Sequence, residues 1–172
     1  MSVTRIASVG DAEALADQVR ANRAFLAPWE PARSDAYFTV EGQRAVLEDN
    51  LDAYARGSMV PLVIVDEDDR PIGRVNINNI VRGAFQSAAL GYWVSESHNG
   101  RGIASAAVAE AVELAFGKLG LHRLQAETLP HNTASQRVLA RNGFQPFAVA
   151  PSYLKIAGEW RDHILYHRIN PS

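Results

Sequence analysis

The segment of this sequence whose residue types point most directly to chemistry is the glycine-rich run at positions 99–104, Asn-Gly-Arg-Gly-Ile-Ala. It lies between an apolar stretch predicted to be a strand and an alanine-rich helix, where the first N–H groups of the helix have no partners. Gly100 and Gly102 allow the backbone to approach an anion closely, and Arg101 adds a permanent positive charge. The run therefore predicts a phosphate site, although a tight strand-to-helix turn would use the same residue types.

Two common nucleotide-binding motifs do not fit this run. A P-loop ends in Gly-Lys-Ser or Gly-Lys-Thr, whereas Gly102 is followed by Ile103 and Ala104. A Rossmann fingerprint belongs to an opening strand-turn-helix unit, whereas this run follows several predicted strands in hairpin order. The predicted phosphate site therefore belongs to neither nucleotide fold.

A second group of candidates lies in the segment 27–37, where two prolines interrupt the helical pattern. Trp29, Glu30 and Tyr37 are aromatic and acidic groups that a loop can direct towards a ligand, so we expect them to contact a substrate. Arg82 is a further candidate, because its guanidinium can hold a substrate carboxylate, although it can also pair with a nearby acid.

Composition limits the classes of protein to which the chain can belong. Its 172 residues, 47% hydrophobic and 21% charged, predict one folded domain over 1–172. The formal net charge of −2 offers no broad basic face, so we expect no direct nucleic-acid contact. No stretch approaches the roughly 20 apolar residues of a membrane span, so we expect a cytoplasmic protein without membrane contact. The absence of cysteine excludes disulfides and thiol nucleophiles.

The elements that must position these groups follow from hydrophobic periodicity and turn residues. A first helix is predicted from Asp11, which acts as its cap, to about residue 20, and a second helical piece continues to residue 26. Further helices are predicted at 41–56, at 132–142 and directly after the glycine-rich run. Strands are predicted at 3–9, 59–65, 72–80, 88–94, 121–128, 144–156 and 160–169. The chain is therefore expected to form a mixed α/β (α+β) sheet of about seven strands with helices on both faces.

Four segments resemble the GNAT acetyltransferases: 91–94 (Gly-Tyr-Trp-Val), the glycine-rich run, 132–135 (Asn-Thr-Ala-Ser) and 142–144 (Asn-Gly-Phe). The resemblance covers nearly the whole chain and implies the GNAT fold, with a mostly antiparallel sheet. It also implies that the glycine-rich turn binds the pyrophosphate of coenzyme A and that the Asn-x-x-Ser helix approaches its pantetheine arm and thiol. One position departs from the family pattern, because Asn99 stands where the family has Gln or Arg.

The resemblance implies acetyl-CoA as the cofactor and a set of residues that contact it. These are Trp93, Val94, Asn99, Gly100, Arg101, Gly102, Ile103, Ala104, Ser105, Asn132 and Ser135.

Three further groups of residues, namely 28–31, 79–86, and 153–155 with 160–163, look like the branch of ribosomal-protein N-terminal acetyltransferases typified by RimJ and RimL. This likeness implies acetylation of a primary amine by direct attack, with a protein N-terminus, such as that of a ribosomal protein, as the acceptor. A small-molecule amine acetyltransferase is the alternative enzyme. A non-catalytic CoA-binding or ribosome-assembly factor is the alternative of another class. A monomer and a homodimer are both compatible with the sequence.

Acetyl transfer to an amine needs an oxyanion donor, a base and a proton for the departing thiolate. The family implies a free backbone N–H near Val94 as the oxyanion donor and Ser135 as the proton donor, although a first-turn serine can instead bond the backbone. Glu127 is the candidate base; its alternative role is an ion pair with Arg123 or Arg137. Glu30 is the competing acid, and an ordered water chain would need neither carboxylate.

Two histidines raise the question of a metal site. His163 and His167 would share one face of a strand, but no third ligand has suitable spacing, so we expect no metal.

Overall fold

Seven strands are present in the computed structural model, which describes residues 1–172. They are β1 (Thr4–Ile6), β2 (Val60–Val65), β3 (Pro71–Val81), β4 (Ser87–Val94), β5 (Arg123–Thr128), β6 (Gln145–Ile156) and β7 (Glu159–Ile169). They form one sheet in the order β1-β2-β3-β4-β5-β7-β6, in which only the β4–β5 pair is parallel. The predicted seven-stranded, mostly antiparallel mixed sheet is confirmed.

Five α-helices accompany the sheet: α1 (Ala12–Ala21), α2 (Arg23–Leu26), α3 (Val40–Ala55), α4 (Ile103–Glu113) and α5 (Thr133–Arg141). A π-helical turn, Leu114–Lys118, extends α4, and short 3₁₀ turns occupy Val9–Asp11, Ala27–Trp29, Asp35–Phe38 and Glu96–His98. None of the helices has the length and apolarity needed to cross a membrane.

The helices cover both faces of the sheet, as the sequence predicts. On one face, small residues of α4 such as Ala107 and Ala111 pack in a buried cluster with Leu124 of β5 and Leu139 of α5. On the other face, Leu15 of α1 and Leu47 of α3 pack against Val63 of β2. Strand residues alternate between these two cores because successive side chains point to opposite faces.

The N-terminal segment differs from its prediction. The expected strand 3–9 is only three residues long, and Asp11 does not cap α1 with its side chain. The Asp11 carboxylate instead pairs with Arg5 at 2.9 Å and accepts the N–H of Ser8 at 2.8 Å. The reason is that a carboxylate held by a guanidinium and an upstream amide is turned away from the helix N–H groups.

Helix α3 begins beside the segment that links it to α2. Thr39 caps it, accepting the N–H of Gly42 at 3.0 Å through its hydroxyl. A Cβ atom on Gly42 would collide with the carbonyl oxygen of Ala36, so the helix lies closely against the 3₁₀ turn that precedes it.

We expect Gly42→Ala to reverse the usual benefit of alanine in a helix. The methyl group should lower the free energy of unfolding by about 1–3 kcal/mol, because backbone must move to admit it. Gly117→Ala is the matched control, because a Cβ there meets no atom within 4 Å, and it should raise stability by up to about 1 kcal/mol. Urea unfolding of both variants measures the difference, and equal effects would contradict the close packing of Gly42.

Candidate functional site

The glycine-rich turn joins the end of β4 to the start of α4. Gly100 and Gly102 adopt φ values of +75° and +74°, in the left-handed region that favours glycine. A Cβ on either residue would meet no atom within 4 Å, so the backbone conformation, rather than a lack of space, requires glycine here. Gly102 is the residue before α4, and no side chain caps the helix.

The uncapped start of α4 faces a pocket of about 380 Å³. The first helical hydrogen bond runs from Ala106 N–H to the Gly102 carbonyl at 3.0 Å, so the N–H groups of Ile103, Ala104 and Ser105 have no partner within the helix. Such a helix start favours an anion through its N–H groups and its dipole. The pocket lining combines the turn with part of α5: His98, Asn99, Gly100, Gly102, Ile103, Ala104, Ser105, Ala134, Arg137, Val138 and Arg141.

Arginines from α5 supply the positive side chains of this pocket. Arg137 and Arg141 both line it, whereas Arg101 lines a different pocket that it shares with the acidic turn residues 66–68. Sequence reasoning did not identify Arg137 and Arg141 as residues of this pocket. The available signal was their spacing of four residues, which places both on one side of α5.

A second cavity, of about 280 Å³, continues from the first. Four residues line both: Asn99, Ala104, Ala134 and Val138. The second cavity is mainly apolar, and its remaining lining residues are Phe25, Leu26, Trp29, Tyr92, Trp93, Val94, Asn132 and Ser135. The structure thus brings the predicted cofactor residues, except Arg101, into one cleft between α4 and α5, with a cationic end and an apolar end.

A buried amide group joins the two helices that border this cleft. The Asn142 Nδ2 group at the end of α5 donates to the backbone carbonyl of Ser105 in α4 at 3.2 Å and to that of Val138 at 2.9 Å. Ser105 therefore contributes to the site both as a first-turn residue of α4 and as the point at which the two helices are joined.

Ser135 lies in the apolar end of the cleft. The Asn132 side chain accepts the Ser135 N–H at 3.2 Å and so caps α5. The Ser135 Oγ atom lies 2.7 Å from the hydroxyl of Tyr92 on β4. Burial raises the pKa of Tyr92 to about 12, so this hydroxyl stays protonated near neutral pH.

The two parallel strands separate beside this cavity. β4 pairs with β5 only at three positions, the last of which joins Ala89 to Gln125. On the other edge of β4, the Ser95 N–H donates to the carbonyl of Ile72 at 2.8 Å. Because backbone groups of successive residues point to opposite edges of a strand, the Val94 N–H is directed away from β3, into the gap beside β5.

Glu127 lies two residues beyond Gln125, the last residue of β5 that pairs with β4. It belongs to the face opposite Leu124 and Ala126, which are buried against α4. Its carboxylate forms no hydrogen bond or ion pair, and burial raises its pKa. The alternative ion pairs are absent, because Arg123 contacts His167 Nδ1 at 2.9 Å and Arg137 lines the anion pocket.

Glu30 and Trp29 come from the segment between α2 and α3. Trp29 lines the apolar cavity, and its ring centroid lies 5.2 Å from that of His131. The Glu30 carbonyl accepts the N–H of Ala157 at 3.0 Å, which ties this segment to the β6–β7 turn. Burial raises the pKa of the Glu30 carboxyl, and the positive charges of Arg33 and Arg74 oppose that shift.

Two predicted substrate residues lie outside the cleft. The Tyr37 ring packs against Phe38 and lies under the guanidinium of Arg33, 4.5 Å from its carbon. Arg82 lies at the opposite end of β3 from Val94 and donates to the Leu119 carbonyl at 2.6 Å. Arg82 therefore binds the chain just after the π-helical turn that extends α4, and it does not line the cleft.

The two histidines of β7 have separate contacts. His163 Nδ1 lies 2.9 Å from the Arg161 carbonyl oxygen. The His167 ring stacks on Phe147 at 4.6 Å and binds Arg123. No group of three or more acidic or histidine side chains is arranged to hold a metal ion.

Comparisons with known proteins match this geometry. The family model described as Acetyltransferase (GNAT) domain matches residues 4–145. The [ribosomal protein uS5]-alanine N-acetyltransferase of Escherichia coli is 37% identical over 95% of this chain and 84% of its own length.

Two solved structures are similar throughout. The ribosomal-protein-S5-alanine acetyltransferase from Vibrio fischeri superposes with a TM-score of 0.94 at 36% identity, covering 98% of this chain and 93% of that one. Mycobacterium smegmatis RimJ, solved in complex with CoA-disulfide, has a TM-score of 0.92 at 34% identity, covering 96% and 80%.

Proposed function

Because the chain belongs to the GNAT family of acetyltransferases, we propose that it acetylates the N-terminal amine of a protein with acetyl-CoA as the donor. It is an acetyl-CoA-dependent N-acetyltransferase, with RimJ-type relatives over almost its whole length. The observation that supports the proposal best is the single cleft that joins the anion pocket at α4 to the apolar cavity around Ser135, beside the gap between β4 and β5.

The residues of the cleft fit coenzyme A. The start of α4 together with Arg137 and Arg141 suits the negative phosphate end. The apolar cavity around Ser135 suits the pantetheine arm and the thioester. When bound, acetyl-CoA supplies an acetyl group already activated as a thioester.

Groups of the protein around the cavity can stabilise the charges that develop during transfer and exclude water. The Val94 N–H points into the gap, where it can donate to the oxygen that becomes negative during transfer. Ser135 can donate to the sulfur that departs as thiolate. Trp29 and Trp93 line the cavity between these groups and help to exclude water.

Glu127 is the better candidate for the base. Its partly buried carboxylate forms no hydrogen bond or ion pair. Burial raises the pKa of this carboxylate towards the range in which a base accepts a proton near neutral pH. Glu30 faces two arginines, whose charges favour its ionised form. That environment suits attraction of an ammonium group more than removal of its proton.

The acceptor is assigned from the relatives. Two similar enzymes are named for acetylation of an alanine of a ribosomal protein. An N-terminal amine of a ribosomal protein is therefore the proposed acceptor, and the cytoplasm is where the chain would meet it.

Coenzyme A binding should depend on the arginines of α5. Arg137→Ala is expected to weaken it about tenfold, because a charge-assisted contact to phosphate is lost. Arg101→Ala, which removes the same charge from a different pocket, should change the dissociation constant less than twofold. Isothermal titration at two salt concentrations measures both, and a larger loss for Arg101→Ala would contradict this assignment of the phosphate site.

Glu127→Gln should lower activity and raise stability at the same time. Because the substitution removes the proposed base, it should reduce kcat at least tenfold with little change in coenzyme A affinity. Because burial raises the pKa of Glu127, its ionised form destabilises the fold at neutral pH, and this penalty fades as the pH falls through that raised pKa towards its ordinary 4.5. The neutral variant should therefore unfold at a higher temperature than wild type at about pH 8, with the difference disappearing near about pH 4.

Glu48→Gln, an exposed change on α3, is the control for that variant and should alter neither property. A structural ion pair at Glu127 would give the opposite stability result, since its loss would destabilise the variant at neutral pH.

The choice of acceptor is tested with acceptor-dependent release of CoA from acetyl-CoA. Peptides beginning with alanine should react, and the same peptides with a blocked N-terminus should not. Panels of amino acids, polyamines and aminoglycosides provide the comparison. Reaction with small amines alone would contradict the protein acceptor, and absence of release with every amine would indicate a CoA-binding protein without transfer activity.

A further inference from the structure

We propose that Tyr92 is a positioning residue for acetyl transfer: its hydroxyl donates a hydrogen bond to Ser135 and so directs the Ser135 hydroxyl hydrogen towards the thioester sulfur. The inference rests on the proposed function, because it concerns how the same cleft stabilises the departing thiolate. Tyr92 lies on β4 and Ser135 in the first turn of α5, and both line the apolar end of the cleft.

Two oxygen atoms of Ser135 lie within hydrogen-bonding distance of the Tyr92 hydroxyl. The Tyr92 hydroxyl oxygen lies 2.7 Å from Ser135 Oγ and 3.2 Å from the Ser135 carbonyl oxygen. The first value is the usual distance for an O–H···O bond, whereas the second exceeds the usual range. Distance alone does not fix the donor between the two hydroxyl groups. We give this role to Tyr92, because a phenol is the stronger donor and an aliphatic hydroxyl the stronger acceptor, and the hydroxyl hydrogen of Ser135 then points elsewhere.

No backbone carbonyl accepts the hydroxyl hydrogen of Ser135. A serine in a helix can donate its hydroxyl hydrogen to a backbone carbonyl one turn earlier, but the Ser135 hydroxyl forms no hydrogen bond except the one with Tyr92. The cap of α5 is the Asn132 side chain, which accepts the Ser135 N–H at 3.2 Å. The hydroxyl hydrogen is thus free to point into the cavity that both side chains line.

Tyr92 acts through Ser135 without losing its own proton. Burial raises the pKa of Tyr92 to about 12, so the phenol remains a donor throughout the neutral range. During transfer the amine nitrogen would form a bond to the acetyl carbon, and the carbon–sulfur bond would break with its electron pair left on sulfur, where Ser135 could donate its hydrogen bond. The proton that the amine releases balances the one that the thiolate finally takes up.

Four variants test this arrangement: Tyr92→Phe, Ser135→Ala, their combination, and Tyr166→Phe as the control. Tyr166 is a second buried tyrosine of the same core, on β7, and its hydroxyl forms no hydrogen bond with another side chain or the backbone. The measurements are kcat and KM with an alanine-initiated peptide, the dissociation constant for coenzyme A, and the thermal midpoint.

Tyr92→Phe is expected to lower kcat about five- to tenfold, the effect of one neutral hydrogen bond. Ser135→Ala should lower it further, and the double variant should match Ser135→Ala within about twofold, because Tyr92 acts only through that serine. Coenzyme A affinity of Tyr92→Phe should remain at the wild-type value, and its thermal midpoint should fall by only about 2–4 °C, the effect of one lost hydrogen bond. Tyr166→Phe should leave kcat unchanged.

Three results would overturn the inference. They are an unchanged kcat in Tyr92→Phe, losses that multiply in the double variant, and an equal loss in Tyr166→Phe, which would indicate general packing. All three require an active wild-type protein. A wild type that releases no CoA with any amine contradicts the proposed function itself, and the role of Tyr92 with it, so the two failures are distinguishable.

Discussion

The early end of pairing between β4 and β5 is the constraint on which the rest of the site depends. The two strands form a parallel ladder through only three residues each, and beyond Ala89 and Gln125 they separate. A backbone N–H directed into a gap normally weakens a sheet, because an unpaired buried donor loses its bond to water. In this chain the gap opens beside the cavity that Val94 and Ser135 both line, and Glu127 lies on β5 two residues beyond the last pair.

Side-chain hydrogen bonds hold the elements around the gap where the ladder is missing. Tyr92 joins β4 to α5 through Ser135, and Asn142 joins α5 to α4. Buried Asn22, at the end of α1, donates to Ser95 Oγ at 3.1 Å and accepts the Glu96 N–H at 2.9 Å. Amide and hydroxyl groups buried in this way favour one geometry, because any other arrangement leaves a polar group unpaired.

Charge is distributed across the sheet in a way that suits two different ligands. On the α4–α5 side, the start of α4 and two arginines of α5 form a cationic end. On the opposite side, the acids Glu30 and Glu127 lie in surroundings that raise the pKa of both. Under the proposed function, this separation would direct a negatively charged donor and a basic amine to opposite faces, with their reacting groups meeting at the gap between β4 and β5.

Much of this could be predicted from the sequence because it depends on local rules. Apolar periodicity identified the seven strands and the helices on both faces, and the positive φ values at Gly100 and Gly102 are what a glycine-rich turn before a helix requires. The resemblance of 132–135 to the family motif, rather than a local rule, implied that Ser135 approaches the cofactor, and in the structure Ser135 lines the apolar cavity. Only the tertiary structure decided which charges face that cleft, placing Arg137 in the anion pocket and Arg101 in another. It also directed Arg82 to the end of α4, and it joined Tyr92 to Ser135 across 43 positions of the chain. Such contacts depend on how separate elements pack and on the direction of each side chain, and neither is a property of local spacing.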